Sequence, residues 1–288
     1  MASLQAKAKA IEKTSFIIIS ALSYTIIAFL LFVLGYIFLQ GYRALNWEFL
    51  TAFPKNEMRE GGIFPALLGT LYLMIGSSVI SVPIGVMTAI YLTEYVENIK
   101  VLQFIRLGIN NLAGVPSVVF GLFGLSVFVI FLDFGSSIIA GSLTLGILNL
   151  PLVIRSTEEA LLTVPTSYRE ASLSLGATKW QTIYKIVLPT ALPGILTGIM
   201  LSLGRAAGET APIMFTCATF YTPHIPDSLF SEVMALPYHI YVLATAGTHI
   251  EATRHIQYGT AIVLIVLVLG LNFTGMILRY KYRKKFKQ

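Results

Sequence analysis

The sequence is dominated by long stretches that contain no charged residue. The first, 16–40, has no Asp, Glu, Lys or Arg. A bilayer core about 30 Å thick is crossed by about 20 apolar residues in a helix, so this stretch is long enough to span a membrane. Only 12% of all residues are charged, against roughly 25% in soluble domains. The pattern therefore predicts an all-α polytopic membrane protein and excludes an ordinary soluble enzyme.

Six such stretches predict six transmembrane helices. The gaps between charged residues place them at about 16–40, 65–93, 106–133, 133–155, 186–203 and 256–278. Pro83 lies inside the second stretch and is expected to kink it, because proline removes a backbone donor. For the same reason Pro151 is expected to open the fourth helix near its end. The connection 217–255 carries three prolines and predicts short re-entrant or interfacial pieces.

The distribution of Lys and Arg predicts that both termini are cytoplasmic. Connections on the side of the N-terminus hold fifteen of the twenty Lys and Arg residues, and these residues favour the cytoplasmic side. Arg59 and Arg254 are among the four on the other side. Six basic residues lie within 279–287, a cluster suited to anionic membrane lipid. The expected organisation is 1–60 with the first helix and an outer loop, a membrane core at 61–280 with a cytoplasmic loop at 155–185, and a basic cytoplasmic tail at 281–288.

The cytoplasmic loop contains a spaced motif with helix-forming residues on both sides. A glycine in its middle lets the chain turn between two short helices, which would present a compact knob to a partner. The motif resembles the EAA loop of ABC importer permeases, with a serine in place of the second alanine. By this resemblance the loop docks on a separate ATPase subunit. Ser172 is the position that differs, and the matching residues are Glu170, Ala171, Gly176, Ile186, Leu188 and Pro189.

Further segments resemble the phosphate permeases of the PstA type, a family of ABC importer permeases. They lie at 61–66, 81–86, 114–117 and 203–212. The resemblance implies a type I ABC importer permease fold (MetI-like) in the bacterial inner membrane, and it makes the membrane core a permease core. It also implies three partners: a homologous second permease of the PstC type, an ATPase dimer of the PstB type, and a phosphate-binding protein of the PstS type. Transport would follow alternating access.

Two charged residues stand directly after the fifth apolar stretch. Arg205 and Glu209 are four positions apart, which places them on one face of a helix. An Arg near the bilayer centre costs about 2.5–3.5 kcal/mol, so it faces a partner or a water-filled cavity. A guanidinium carries forked donors that match pairs of phosphate oxygens. The two interpretations are that Arg205 contacts phosphate while Glu209 tempers the site for release, or that the two form a structural ion pair.

Arg155 is a second candidate in the substrate path. By position it anchors the inner end of the fourth span, and by the family resemblance it matches an Arg implicated in transport; both interpretations stay open. No G-x-x-x-x-G-K-[ST] segment exists in the sequence, so we expect no enzyme activity and no cofactor on this chain, with ATP and Mg²⁺ on the partner ATPase. The histidines lack ligand spacing, so we expect no metal site, and the location of the basic residues argues against nucleic acid.

Two alternative functions remain after these arguments. A permease for another oxyanion, such as sulfate or molybdate, would share the docking loop. An ion-coupled secondary carrier would have no ATPase to engage, and the loop argues against it.

Overall fold

The computed structural model describes residues 2–285 except 57, 59, 223 and 247–249. Arg59, His249 and Lys287, to which the charge and histidine arguments above refer, lie outside the described residues. The chain is mostly helical. It also has an antiparallel β-hairpin whose strands, β1 (Pro54–Lys55) and β2 (Glu60–Gly61), are two residues long. The helices are α1 (Ala2–Gly41), α2 (Trp47–Thr51), α3 (Phe64–Ile90), α4 (Ile99–Ala113), α5 (Ser117–Gly124), α6 (Ile138–Leu162), α7 (Thr166–Ser174), α8 (Lys179–Thr182), α9 (Leu188–Gly208), α10 (Ala211–Thr216), α11 (Leu236–Thr245) and α12 (Ile250–Lys285).

Three π-helical segments extend these helices. Tyr91–Tyr95 continues α3, Leu125–Phe131 continues α5, and Ile183–Val187 joins α8 to α9. The last of them ends two residues before Pro189. Pro189 has no N–H to bond the carbonyl of the preceding turn, and a wider turn is one way for a helix to accommodate that loss.

Five helical stretches of the described chain are long and apolar enough to cross a membrane. They are Glu12–Ala44, Phe64–Tyr95, Ile138–Leu162, Lys179–Gly208 and Thr253–Tyr282. A sixth span exists if α4 and the extended α5 count as one, but their axes meet at 93°. The span predicted over 106–133 is thus broken into two helices, a break that the sequence analysis did not predict. Pro116 lacks an N–H and disfavours helical backbone at Val115, so the helix ends and restarts there.

The fourth span also ends later than the sequence suggested. Helix α6 continues through Pro151 and Arg155 to Leu162, so the predicted opening at the proline is not present. The segment between the fourth and fifth spans begins at Thr163 rather than at 155. Pro165 follows directly, and the residue before a proline is disfavoured in helical conformation, which explains the new boundary.

Close packing of three helices forms the centre of the molecule. Helices α3 and α6 run parallel: Gly76 lies against Ser142, and Gly85 lies against Val153. Helices α6 and α9 run antiparallel. A Cβ on Gly198 would lie only 1.9 Å from Ser156 Oγ, so the two backbones approach to a distance that only glycine permits at this position. The core therefore fixes the relative height of all three helices.

The two ends of this bundle are built differently. At one end, the ends of α3 and α6 and the start of α9 meet the short helices α7 and α8; we call this the hairpin end. At the other end, α2, the β-hairpin, α10 and α11 form a cap. The segment between α10 and α11 is held by a β-bridge between Ala218 and Val233. A hydrogen bond of 2.9 Å from Leu236 N to Thr70 Oγ1 attaches the start of α11 to α3. The short pieces predicted for 217–255 are thus present as α11 and this bridge.

Helix α1 lies outside the packed centre. No residue of its most apolar window is buried within the chain, and it contacts α12, where the rings of Tyr36 and Tyr258 meet edge to face at 5.8 Å. Its exposed apolar surface is suited to lipid or to another membrane protein.

Candidate functional site

Arg205 and Glu209 form an ion pair where α9 ends. Arg205 stands in the last turn of the helix, and its Nε donates to Glu209 Oε1 at 3.0 Å. Glu209 is the first residue beyond the helix and has an extended backbone, so the pair bridges the helix end instead of lying on one continuous helical face. A cation in the last turn is stabilised by the negative end of the helix dipole. The sequence therefore predicts the ion pair, but not that α9 ends between its two residues.

Most of the Arg205 guanidinium remains available. Its Nη1 and Nη2 make no hydrogen bond or ion pair with the described residues, and 39% of the side chain is exposed. Leu201, one turn earlier on the same face, is also exposed, and a Cβ on Gly208 would meet open space. Arg205 thus projects from an open face of α9 with two nitrogen donors free.

A cavity of about 520 Å³ continues along this face toward the hairpin end. It lies between α6, α9 and α12, and its wall includes hydroxyl groups and two opposite charges. Each of these hydroxyl groups donates its hydrogen to a backbone carbonyl oxygen in or beside its own helix, so it offers the cavity an acceptor oxygen only. The lining residues are Ser156, Glu159, Ala160, Thr163, Thr190, Ala191, Pro193, Gly194, Thr197, Gly198, Leu201 and Arg279.

Arg155 does not join Arg205. Because Ser156 is level with Gly198, Arg155 lies level with about residue 199, roughly 9 Å along the axis from Arg205 at 1.5 Å per residue. Its Nη1 lies 3.6 Å from Glu158 Oε2. The structure thus keeps the two candidate path arginines at different heights and gives each its own carboxylate.

Glu158 is a functional candidate that the sequence did not reveal. Only 3% of its side chain is exposed, and it accepts from Arg106 of α4, with Arg106 Nε 2.7 Å from its Oε1 and Nη2 in closer contact. A buried carboxylate requires such partners because its desolvation is costly. The pair joins α4, which has no buried residue, to α6.

The predicted docking motif forms a short helical hairpin. Glu170 and Ala171 are exposed on α7, whereas Ser172 is buried and hydrogen-bonds Thr182 of α8 at 2.9 Å between hydroxyl oxygens. Gly176 turns the chain with φ of +83°, a conformation that favours glycine. The remaining motif residues lie after the hairpin, partly buried: Ile186 in the π-helical segment and Leu188 and Pro189 in the first turn of α9.

A second interhelical ion pair holds this hairpin. Arg169 of α7 contacts Glu94, in the π-helical end of α3, with Nη2 2.8 Å and Nε 3.1 Å from Oε1. Arg169 also donates to the carbonyl oxygens of Leu161 at 3.1 Å and Val164 at 2.8 Å. One guanidinium thus connects three elements.

Neither interhelical pair has a local sequence signal. The partners are separated by 52 and 75 residues, so no motif spacing links them. The available signal is that Glu94 and Glu158 are carboxylates at or inside apolar helices, where an unpaired charge is costly. That argument predicts a basic partner for each but does not identify it.

These features define a polytopic helical membrane protein with an exposed hairpin at one end and an ion pair on an open helix face. The chain belongs to the family of binding-protein-dependent transport system inner membrane components, whose model matches residues 81–288. Members of such a permease family are transport components, not enzymes. The predicted multi-pass membrane location is confirmed.

Curated relatives make the family assignment more specific. The chain is 35% identical over 272 residues to the "Probable ABC transporter permease protein YqgI" of Bacillus subtilis, covering 90% of this chain and 92% of that protein. It is 38% identical over 258 residues to the phosphate transport system permease protein PstA of Mycobacterium leprae, covering 87% and 83%. The predicted resemblance to permeases of the PstA type is confirmed.

Solved structures confirm the predicted fold class. A bacterial ABC transporter involved in the import of alginate aligns with a TM-score of 0.65 at 18% identity, over 92% of this chain and 96% of that chain. The MetNI methionine ABC transporter in an inward-facing conformation aligns with a TM-score of 0.58 at 21% identity, over 77% and 94%. At these identities the likeness concerns the fold alone.

Proposed function

We propose that this chain is a permease subunit of an ATP-driven importer of inorganic phosphate. The observation that carries the proposal is the Arg205 guanidinium, which projects from an open face of α9 with Nη1 and Nη2 free of described partners. The named function of the Mycobacterium leprae relative supports phosphate as the substrate.

In this proposal Arg205 contacts the anion and Glu209 sets the strength of that contact. The forked η nitrogens match two oxygens of a tetrahedral oxyanion. Glu209 accepts from Nε at 3.0 Å, which orients the fork and offsets part of its charge. A single cation whose charge is partly offset by a carboxylate attracts the anion into the path and still releases it. A dense basic cluster would bind the anion too tightly to conduct it.

Arg155 is proposed as a second contact nearer the hairpin end. Its distance of 3.6 Å to Glu158 Oε2 is longer than a hydrogen bond, so its guanidinium is less constrained than that of Arg106. The cavity between α6, α9 and α12 lies between the heights of Arg205 and the hairpin, and Arg279 in its wall would attract an anion released by Arg205.

The partners follow from the surfaces that this chain leaves open. The face of α9 around Arg205 would be closed by a homologous second permease of the PstC type. The exposed side of α7, including Glu170, would dock on an ATPase dimer of the PstB type that carries ATP and Mg²⁺. A phosphate-binding protein of the PstS type would deliver substrate at the cap end. ATP-driven closure of the ATPase dimer would then change the accessibility of Arg205 from one side to the other.

The test is radiolabelled phosphate uptake into proteoliposomes that contain the complete complex, with ATP supplied to the ATPase and with sulfate or molybdate as competitors. We expect saturable uptake that requires ATP and persists in excess sulfate or molybdate. Equal competition by sulfate or molybdate would identify a permease for another oxyanion. Uptake driven by an ion gradient in the absence of ATP would instead identify a secondary carrier.

A further inference from the structure

The hairpin formed by α7 and α8 is loosely packed on its own chain. Ser172 is the one buried residue of α7, and Leu175 at its end is 88% exposed. The hairpin continues covalently into α6 on one side and α9 on the other, so these two spans must follow its movement. Helix α3 ends about 70 residues earlier in the sequence and has no covalent connection of this kind; it is joined to α6 and α9 by packing.

Polar contacts join the hairpin itself to the end of α3, and both short helices take part. Arg169 of α7 holds Glu94, with Nη2 2.8 Å from Oε1. Lys179, the first residue of α8, places its Nζ 5.0 Å from the ring centre of Tyr95, a cation–π distance. Glu94 and Tyr95 are the last two residues of the π-helical segment that ends α3. The end of α3 is therefore held from both sides of the hairpin.

The ion pair is well suited to transmit displacement. Only 9% of the Glu94 side chain is exposed, so water screens the pair little. Arg169 is also fixed to the carbonyl oxygens of Leu161 and Val164, and this leaves its fork few alternative orientations. Within the described chain, Glu94 has no other ion-pair partner. Loss of the pair therefore removes the charged link between α7 and α3 while the covalent connections to α6 and α9 stay intact.

We propose that the Glu94–Arg169 pair, supported by Lys179 over Tyr95, is the link through which the α7–α8 hairpin moves α3 when an ATPase acts on the hairpin. The proposal rests on the proposed function. Glu94 and Arg169 are positioning residues in this account, since neither lies in the substrate path. Breaking the link should leave assembly and ATP hydrolysis in place but reduce the phosphate imported per ATP.

The first test measures ATP hydrolysis and phosphate uptake together in proteoliposomes with the complete complex. We expect Glu94→Gln and Arg169→Gln each to lower phosphate imported per ATP at least about fivefold, the lower end of typical coupling free energies. The double variant Glu94→Gln/Arg169→Gln should be no worse than the worse single variant, because both remove the same link. Glu97→Gln, at an exposed carboxylate three residues from Glu94, is the matched control and should resemble wild type.

The second test does not depend on the substrate. Spin labels at Val79 and Ser167, both exposed, report the separation of α3 from the hairpin; Val79 lies about 22 Å up α3 from Glu94 at 1.5 Å per residue. In the wild-type complex we expect this distance to stay constant between nucleotide-free and ATP-bound states. In the double variant, which leaves no lone buried charge, we expect it to shift.

These measurements separate the two hypotheses. A wild-type complex that imports no phosphate would contradict the proposed substrate, while the label distance would still test the link. A distance that stays constant across nucleotide states in the double variant would overturn the link. Unchanged phosphate imported per ATP in both single variants would overturn it equally, as would a double-variant loss equal to the product of the two single losses.

Discussion

Replacing Arg106 with Gln tests the buried charge cluster at Glu158. Removing one partner of a buried ion pair typically costs about 3–5 kcal/mol, because a lone buried charge remains. Two features reduce this value: Arg155 stays 3.6 Å from Glu158 Oε2, and 33% of the Arg106 side chain is exposed. We therefore expect a loss of about 2 kcal/mol in stability, which corresponds to a fall in Tm of roughly 4–8 °C.

The assay is thermal unfolding of the purified chain in detergent, followed by intrinsic fluorescence. Glu158→Gln should cost less than Arg106→Gln, because it removes the buried charge and leaves two arginines that reach solvent. The double variant should resemble Glu158→Gln alone. Lys100→Gln, at an exposed cation on the same helix α4, is the control. If Arg106→Gln were no more destabilising than Lys100→Gln, the reasoning that Glu158 depends on its α4 partner would be refuted.

Three further changes test other parts of the structure. Gly176→Ala should loosen the hairpin by about 1–2 kcal/mol, the cost of left-handed backbone with a Cβ, and amide exchange in α7 should accelerate accordingly; unchanged exchange would contradict this. Gly198→Leu should lower the Tm because its side chain would overlap with that of Ser156. Gly208→Ala should leave the Tm nearly unchanged, because position 208 faces open space. Equal changes in Tm for the two variants would contradict this packing argument. Burial raises the pKa of the Cys217 thiol to about 12, so maleimide should label this cysteine only after unfolding. The free energy of unfolding should fall as the pH rises above about 9, because only the thiol of the unfolded chain ionises there.

The spans were the most predictable part of the fold. Hydropathy and charge place a span at about each position, because a bilayer imposes length and polarity directly on the sequence. The boundaries were less predictable. The break at Pro116 and the continuation of α6 past Arg155 depend on local backbone rules that compete with hydropathy, and proline stops the helix in one place but is accommodated at Pro151 in another.

The candidate site was predictable only where its residues are close in sequence. The Arg205–Glu209 pair follows from a spacing of four, and the hairpin turn at Gly176 follows from the motif. The pairs of Glu94 and Glu158 required the fold, because packing alone brings their partners across 75 and 52 residues. No sequence period encodes such contacts.

The central claim is that Arg205 contacts the transported phosphate, and the most direct test is ATP-driven phosphate uptake by complexes that carry Arg205→Gln or Arg205→Lys at matched assembly. Losing charged hydrogen bonds of about 1.5–3 kcal/mol predicts that Arg205→Gln lowers uptake about tenfold or more. Arg205→Lys should fall between wild type and Arg205→Gln, because lysine keeps the charge but loses the fork. Uptake by Arg205→Gln at the wild-type rate would show that the Arg205–Glu209 pair is structural and would contradict the account.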